Sequence, residues 1–175
     1  MTFSELAKTR YSVRNYEAKA VEDEKLLQIL EAGRVAPTAA NKQPQRILVV
    51  REQEGLEKLK KAANIFNAPM ALIICGDRKN VWVRPFDQHD MIDVDASIVT
   101  DHIMLQATEL GLGTLWIAYF NPQVLRDAFQ IPEQLEPVSI LLLGYAAGAP
   151  KSPDRHVTER KNLNETVFYE NFPAL

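Results

Sequence analysis

Cysteine is nearly absent from this sequence of 175 residues, which contains only Cys75. A single thiol excludes an internal disulfide and a paired-thiol redox centre, so any redox chemistry here needs a bound cofactor. No stretch approaches the ~20 consecutive apolar residues of a membrane span. The N-terminus also lacks the basic and apolar regions of a secretion signal. We therefore expect a cytoplasmic protein.

An excess of charge of either sign is also missing. The formal net charge is −3 and the pI is about 5.7. This balance creates no whole-molecule field that would attract nucleic acid, and no lysine-rich run supplies a local one. The sequence has no Gly-x-Gly-x-x-Gly after a strand and no Walker-type Gly-Lys-Ser/Thr. Neither a nucleic-acid-binding protein nor the common dinucleotide and P-loop folds are indicated.

Apolar residues make up 46% of the chain, which is enough for one globular domain at this length. Short apolar runs predict strands, and apolar residues at helical spacing predict helices. The predicted strands are 47–50, 71–75, 114–118 and 138–143, and the main predicted helices are 22–34, 53–63, 95–110 and 122–129. This irregular alternation predicts an α+β fold, built as a three-layer α/β/α sandwich.

Arginine occupies alternate positions in the segment 10–14, which we call the arginine pentad. In an extended chain, alternation puts Arg10, Ser12 and Arg14 on one side over roughly 13 Å, at about 3.3 Å per residue. Guanidinium groups bind phosphate in a bidentate manner and are poorly suited to burial without a partner. The pentad therefore favours a long anionic ligand, although a solvated basic turn explains it equally well when it is taken alone.

A second segment, 36–44, combines two prolines with small residues and amides, and we call it the amide loop. The prolines stiffen the loop, and the small residues permit the close approach of a flat ligand. Asn41 and Gln43 each donate and accept hydrogen bonds, as the edge of a heteroaromatic ring requires. An ordinary turn between a helix and a strand is the alternative for this loop on its own.

Together the pentad and the amide loop resemble the nitroreductase family of FMN-dependent oxidoreductases. Members of that family carry an Arg-x-Ser-x-Arg/Lys segment followed by a Pro-Ser/Thr-x-x-Asn-x-Gln-Pro loop. Further similarity extends through 110–117, 120–122, 143–145 and 160–165, so it covers nearly the whole chain. The resemblance implies a mainly antiparallel central sheet in a single domain, 1–175. It also implies a homodimer with FMN at the interface, in which the tail 150–175 docks on the partner subunit.

The resemblance assigns cofactor-binding roles to a set of residues, which are Arg10, Ser12, Arg14, Pro37, Thr38, Asn41, Gln43, Ala118, Tyr119 and Arg160. Arg10 and Arg160 are expected to hold the phosphate, and Ser12 is expected to contact the phosphate or the ribityl chain. Family members often have a basic residue two positions before Arg160, where this chain has Thr158. We therefore expect phosphate binding to depend more strongly on Arg10.

The other positions are expected to surround the flavin ring. Asn41 would bond the pyrimidine carbonyl and imide beside Pro37, Thr38 and Gln43, and the backbone at 118–119 would face flavin N5. Arg14 would stabilise the negative charge of the reduced flavin, with Lys42 as a second candidate. No protein side chain is assigned as a catalytic acid or base.

The resemblance implies a ping-pong reaction in which NADH or NADPH reduces the flavin at N5. A small aromatic or conjugated acceptor, such as a nitroaromatic, quinone or enone, then takes the electrons. A non-catalytic flavin-binding or storage protein remains an alternative, because it needs the same contacts to bind the cofactor. A metal-dependent hydrolase using the carboxylates and imidazole of Asp87–Asp95 is a further alternative. Since that spacing fits no defined metal loop, we expect no metal site and assign Asp93 or Asp95 as a helix N-cap.

Overall fold

One antiparallel sheet of four strands lies at the centre of the protein. The structure is a computed structural model that describes residues 1–173. The strands are β1 (Gln45–Val50), β2 (Met70–Asp77), β3 (Gly113–Ile117) and β4 (Leu135–Gly144), in the spatial order β1-β2-β4-β3. All three pairings are antiparallel, and the β2–β4 register shifts between Ile74 and Cys75. The expected antiparallel sheet is confirmed.

Helices cover both faces of this sheet. They are α1 (Phe3–Thr9), α2 (Asp23–Val35), α3 (Gln53–Lys60), α4 (Ile92–Glu109), α5 (Pro122–Phe129) and α6 (Arg155–Thr158), with 3₁₀ turns at Ala39–Asn41 and Leu163–Glu165. Helices α2 and α4 share one apolar core with the sheet, whereas α3 and α5 contribute to the core on the opposite face. The three-layer α/β/α sandwich predicted from the sequence is therefore confirmed. Within residues 1–173, no helix combines the length and apolar character needed to cross a bilayer.

The central layers are packed closely. All eight residues of β2 are buried, which explains why this strand appears in the sequence as an uninterrupted apolar run. Helices α2 and α4 approach each other at Gly33, where an added Cβ would lie 2.7 Å from Ile103 Cδ1. Helix α4 is apolar nearly all round because it packs against both α2 and the sheet.

Helix α4 begins earlier than the sequence predicts. Its first residue is Ile92 and its N-cap is Met91, so Asp93 and Asp95 both lie in the first turn. The prediction that one of these aspartates caps the helix was wrong. The physical reason is that Ile92 is buried against Gly76 of β2, so the helix already begins there, and the Asp95 carboxylate instead makes a tertiary contact in which Oδ1 accepts a hydrogen bond from the Ala39 N–H at 2.8 Å.

Candidate cofactor-binding site

The arginine pentad runs beside the edge strand β3 in an extended conformation. The Val13 N–H donates to the Thr114 carbonyl oxygen at 2.9 Å, and Ser12 forms a parallel bridge with Thr114. Val13 is buried in the core, whereas Arg10 and Ser12 are half-buried and Arg14 is exposed. This burial pattern matches the predicted alternation, in which the two arginines and the serine share the side away from the core.

Three arginines come together at the beginning of the pentad, and we call Arg10, Arg155 and Arg160 the arginine cluster. The Arg155 Nη2 group donates to the Arg10 carbonyl oxygen at 2.6 Å. The pKa of Arg10 is lowered, first by burial and then by the positive charges of Arg155 and Arg160, while Asp101 opposes this effect. Among residues 1–173, none of the three arginines forms a salt bridge. The cluster is thus a concentration of positive charge that is suited to an anion.

Arg155 was missed by the sequence analysis. It precedes Arg160 by five positions in a polar, proline-punctuated tail, and no motif distinguishes it from the other basic residues there. Only the docking of α6 against the pentad brings its guanidinium group to Arg10, which is 145 positions away.

The amide loop adopts an unusual backbone conformation. Ala40, Asn41 and Gln43 have φ angles of 48°, 53° and 50°. These angles lie in the left-handed region, which residues other than glycine rarely adopt. Such conformations persist only where the surroundings hold them in place. The side chain of Asn41 is exposed and makes no hydrogen bond to any other residue in 1–173. Its amide is therefore free to bind a ligand.

Backbone bonds from the Asn41 and Lys42 N–H groups to the Thr38 and Ala39 carbonyl oxygens hold this conformation, together with two bonds to side-chain acceptors. The Gln43 N–H donates to Thr38 Oγ1 at 3.0 Å, and the Ala39 N–H donates to Oδ1 of Asp95 at 2.8 Å. Asp95 is only 1% exposed, and its Oδ2 atom is buried without a hydrogen-bond partner within the described part of the chain. Sequence analysis did not identify this supporting role, because Asp95 lies 56 positions from the loop residue that it contacts.

A pocket of about 830 Å³ lies beside the end of β3. Its lining brings Arg14 together with Ala118 and Tyr119, as the sequence analysis expected, and adds Asn64 and Phe66, which that analysis did not assign. The volume falls within the ~300–1,000 Å³ that small-molecule sites occupy. We call this cavity the β3 pocket. It lies at the Arg14 end of the pentad, whereas the arginine cluster lies at the other end.

The amide loop and the pentad flank opposite edges of the sheet. The loop leads directly into β1, the pentad runs beside β3, and β2 and β4 lie between these two edge strands. Four strand spacings of about 4.8 Å separate the two segments by roughly 19 Å across the sheet. They also lie toward opposite ends of β4, because Gln45 is in register with Gly76 and Glu136 whereas Thr114 beside the pentad pairs with Leu143. One chain therefore brings Arg10, Ser12, Arg14, Ala118, Tyr119 and Arg160 to one edge. It leaves Pro37, Thr38, Asn41, Lys42 and Gln43 at the other.

The acidic segment Asp87–Asp95 does not form a cluster. Asp87 accepts two hydrogen bonds from Arg84, Asp90 Oδ1 accepts from the Ile92 N–H, and Asp95 supports the amide loop. In the part of the chain that the structure describes, no group of three or more histidine, cysteine, aspartate or glutamate residues is arranged to hold a metal ion. The hydrolase alternative therefore has no site among these residues.

Comparison with known proteins identifies the family of this chain. The model of the nitroreductase family matches residues 7–67 and 58–145. The chain belongs to the nitroreductase family. The resemblance inferred from the pentad and the amide loop is thereby confirmed.

Several known proteins are similar to this chain over most of their lengths. A nitroreductase family protein from Clostridium difficile 630 is 55% identical, with a TM-score of 0.97, and the match covers 98% of this chain and 100% of that one. An FMN-dependent nitroreductase from Clostridium difficile R20291 is 29% identical, with a TM-score of 0.79 and coverage of 95% and 98%. The FMN reductase (NAD(P)H) of Bacillus subtilis strain 168 is 30% identical over 179 residues, which are 91% of this chain and 72% of that protein.

Proposed function

We propose that this nitroreductase-family protein is an oxidoreductase that transfers electrons from NADH or NADPH, through FMN, to a small aromatic or conjugated acceptor. FMN is the cofactor and a reduced nicotinamide is the reductant, in keeping with the names of its relatives. The main support from this chain is the arrangement along one sheet edge. An arginine cluster for a phosphate lies at one end of the pentad, and a pocket for a ring lies at the other.

The residues at this edge fit FMN in charge and in length. Arg10 and Arg160 belong to a cluster that forms no salt bridge among residues 1–173, and Asp101 only partly offsets the positive charge around Arg10, which suits a phosphate. The pentad extends over roughly 13 Å, a length comparable to that of the ribityl chain that separates the phosphate from the flavin ring. Ser12 lies between the two arginines and offers a hydroxyl to the phosphate or the ribityl chain.

Bound FMN supplies the redox chemistry, because the flavin accepts a hydride equivalent from the nicotinamide and passes electrons to the second substrate. Arg14 would contribute positive charge at the pyrimidine end of a flavin bound in the β3 pocket, which is also lined by Ala118 and Tyr119. Tyr119, which is 96% exposed, lines the same pocket. The nicotinamide and the acceptor occupy the same pocket in turn, so the cycle is ping-pong.

The separation of the amide loop from the pentad supports a shared site in a homodimer. If Asn41 is to bond the pyrimidine beside Arg14, the loop must come from a second copy, because the same chain holds it at the opposite edge of the sheet. A two-fold dimer completes two such sites at once. In this arrangement Pro37, Thr38 and Gln43 of the second copy line the ring together with Asn41, and Lys42 is the secondary source of positive charge.

The C-terminal tail is proposed to dock on the partner subunit. Val167, Phe168, Tyr169 and Phe172 are all exposed in the single chain, and exposed aromatic groups of this kind mark an interaction surface. The last two residues of the tail, 174–175, lie outside the described residues. The cytoplasmic location expected from the sequence stays a prediction.

A visible spectrum of the purified protein, followed by anaerobic titration with NADH and then NADPH, tests the proposed function. We expect a yellow protein whose flavin absorbance is bleached rapidly by at least one nicotinamide and restored by a quinone or nitroaromatic. Flavin that binds but is not reduced would indicate the storage protein instead. A colourless preparation that takes up no FMN would refute both functions.

Two variants extend this test to the phosphate end of the site. Arg10→Ala should release FMN during purification, whereas Arg51→Ala serves as a matched control. Arg51 is exposed at the end of β1 and pairs with Asp23, outside both groups of site residues. Full retention of FMN by Arg10→Ala would contradict the assigned role. Sedimentation of the protein tests the homodimer separately.

A further inference from the structure

The arginine cluster contains one residue to which no cofactor role has been assigned. We propose that Arg155 is a third phosphate-binding residue, which replaces the basic side chain that this chain lacks at Thr158. The inference depends on the proposed FMN site, since it concerns how this chain holds the phosphate of that cofactor. It is carried by the hydrogen bonds of Arg155 and by the charges around Arg10.

The hydrogen bonds of Arg155 leave part of its guanidinium group available. Nη1 donates to the Ser152 carbonyl oxygen at 2.8 Å, and Nη2 donates to the Arg10 carbonyl oxygen at 2.6 Å. A guanidinium group has five N–H donors in a rigid plane. Two are used by these carbonyl oxygens, so three remain for phosphate oxygens. The two bonds also fix the plane of the guanidinium group next to Arg10, so the Arg155 side chain loses less conformational entropy when it binds an anion.

At position 158, where family members often have a basic residue, this chain has a threonine whose side chain bonds its own helix. Thr158 ends helix α6 and its hydroxyl donates to the Arg155 carbonyl oxygen at 3.4 Å, so its side chain serves the helix. Arg155 begins the same helix and contacts the pentad directly. Moving the positive charge from position 158 to 155 therefore keeps it on α6 and keeps it close to Arg10.

The charges around Arg10 favour a ligand with more than one negative charge. Arg155 and Arg160 both repel Arg10, whose pKa is lowered by burial and then by these two cations, and Asp101 is the acidic group that offsets them. No salt bridge relieves this repulsion among the described residues. A phosphate dianion would turn Arg10 and the two cations that repel it into three partners of one ligand.

Arg155 also connects the phosphate site to the tail. Its neighbour His156 lies within hydrogen-bonding distance of the Lys8 carbonyl oxygen, 3.1 Å from Nε2, so α6 contacts both α1 and the pentad. A purely structural clamp would explain these contacts without any phosphate. The two roles differ in what they affect: a clamp of the whole tail weakens FMN and riboflavin alike, a clamp that acts only through Arg10 loses its effect once Arg10 is alanine, and a direct phosphate ligand weakens FMN selectively in both backgrounds. Arg155→Met is therefore measured both in the wild type and in Arg10→Ala.

The test compares the binding of FMN and riboflavin by flavin fluorescence titration of the apoprotein. In Arg155→Met we expect FMN affinity to fall at least about tenfold, because charge-assisted hydrogen bonds are lost, while riboflavin affinity stays within about twofold. Arg155→Lys keeps the charge without the planar donors and should lie between the wild type and Arg155→Met. Lys151→Met removes an exposed basic residue of the same tail and should leave both affinities unchanged.

Four results would overturn the inference. Equal losses for FMN and riboflavin in Arg155→Met, or a selective FMN loss that disappears in the Arg10→Ala background, would make Arg155 a structural clamp. No loss for either flavin would remove Arg155 from the site. If Arg155→Met does not fold, an unchanged ratio of FMN to riboflavin affinity in Arg155→Lys contradicts the proposal in the same way. Failure of the wild type to bind FMN would instead refute the proposed function itself, so the two failures are distinguishable.

Discussion

Replacing Asp95 tests whether the amide loop must be held in its left-handed conformation for the cofactor to bind. Asp95→Ala removes the acceptor of the Ala39 N–H and leaves this half-buried donor without a partner. Asp95→Asn keeps an oxygen at the same position and changes only the charge. The bond between Gln43 and Thr38 is untouched in both variants, so the two differ only at Asp95.

The structure sets the size of the expected effect. An unsatisfied buried donor costs about 1–3 kcal/mol, and each left-handed residue other than glycine costs about 1 kcal/mol or more. Since Ala39 is only half-buried, we take about 2 kcal/mol as the free energy by which Asp95→Ala destabilises the left-handed loop conformation. If FMN binds only to that conformation, this free energy corresponds to ~30-fold weaker FMN binding. The global stability should change less, because the substitution also removes the buried Oδ2 atom that has no partner in 1–173.

Two measurements on each variant separate these effects. Thermal unfolding of the apoprotein reports stability, and fluorescence titration reports the affinity for FMN. We expect Asp95→Ala to lose affinity with a small change in Tm, and Asp95→Asn to stay close to the wild type in both. Wild-type FMN affinity in Asp95→Ala would refute the reasoning, and so would a loss of the same size in Asp95→Asn.

Three further predictions follow from packing and from pKa values. Gly33→Ala should lower the free energy of unfolding by about 1–3 kcal/mol through overpacking. Adding Ile103→Val, which removes the Cδ1 atom 2.7 Å from the new methyl group, should recover part of the loss in denaturant unfolding. Burial raises the pKa of the Cys75 thiol to about 11, so at pH 8 it should react with a disulfide reagent about 100-fold more slowly than a thiol titrating near 9; a fast native-state reaction would contradict this. The Tyr145 hydroxyl is the main cause that lowers the pKa of Glu22 to about 2. Tyr145→Phe should raise the pKa of Glu22 toward 4.5, as followed by NMR titration. The ionised Glu22 stabilises the wild-type fold above about pH 4.5, and this contribution is lost as the pH falls toward 2, so the variant should show a smaller change in stability over the same pH range.

Local patterns were sufficient for most elements of the fold. Helix α5 has the predicted bounds because Asn121 caps it with two hydrogen bonds and Pro122 occupies its first turn. Strand β2 was predicted because its buried residues form a continuous apolar run. The pentad alternates as predicted because an extended chain turns its side chains to opposite sides at every residue. These properties depend on neighbours a few positions apart, so the sequence displays them directly.

The prediction failed where a distant partner decided the outcome. Helix α4 starts early because Ile92 is buried against Gly76 of β2, and the Asp95 carboxylate bonds the loop residue Ala39 instead of capping the helix. Arg155 appears as an ordinary tail residue until α6 contacts the pentad. In both cases the partner lies tens of residues away, and neither the periodicity nor the capping pattern of the sequence records it.

The sequence by itself determined the layers of the sandwich, the family and most of the residues proposed to bind FMN, because these depend on short-range apolar spacing and on two local motifs. Only the tertiary structure decided how those residues are grouped. The strand order β1-β2-β4-β3 places the amide loop and the pentad at opposite edges. The physical reason is that strand order follows from how helices and strands pack across the whole core, and no local pattern of side chains specifies that arrangement.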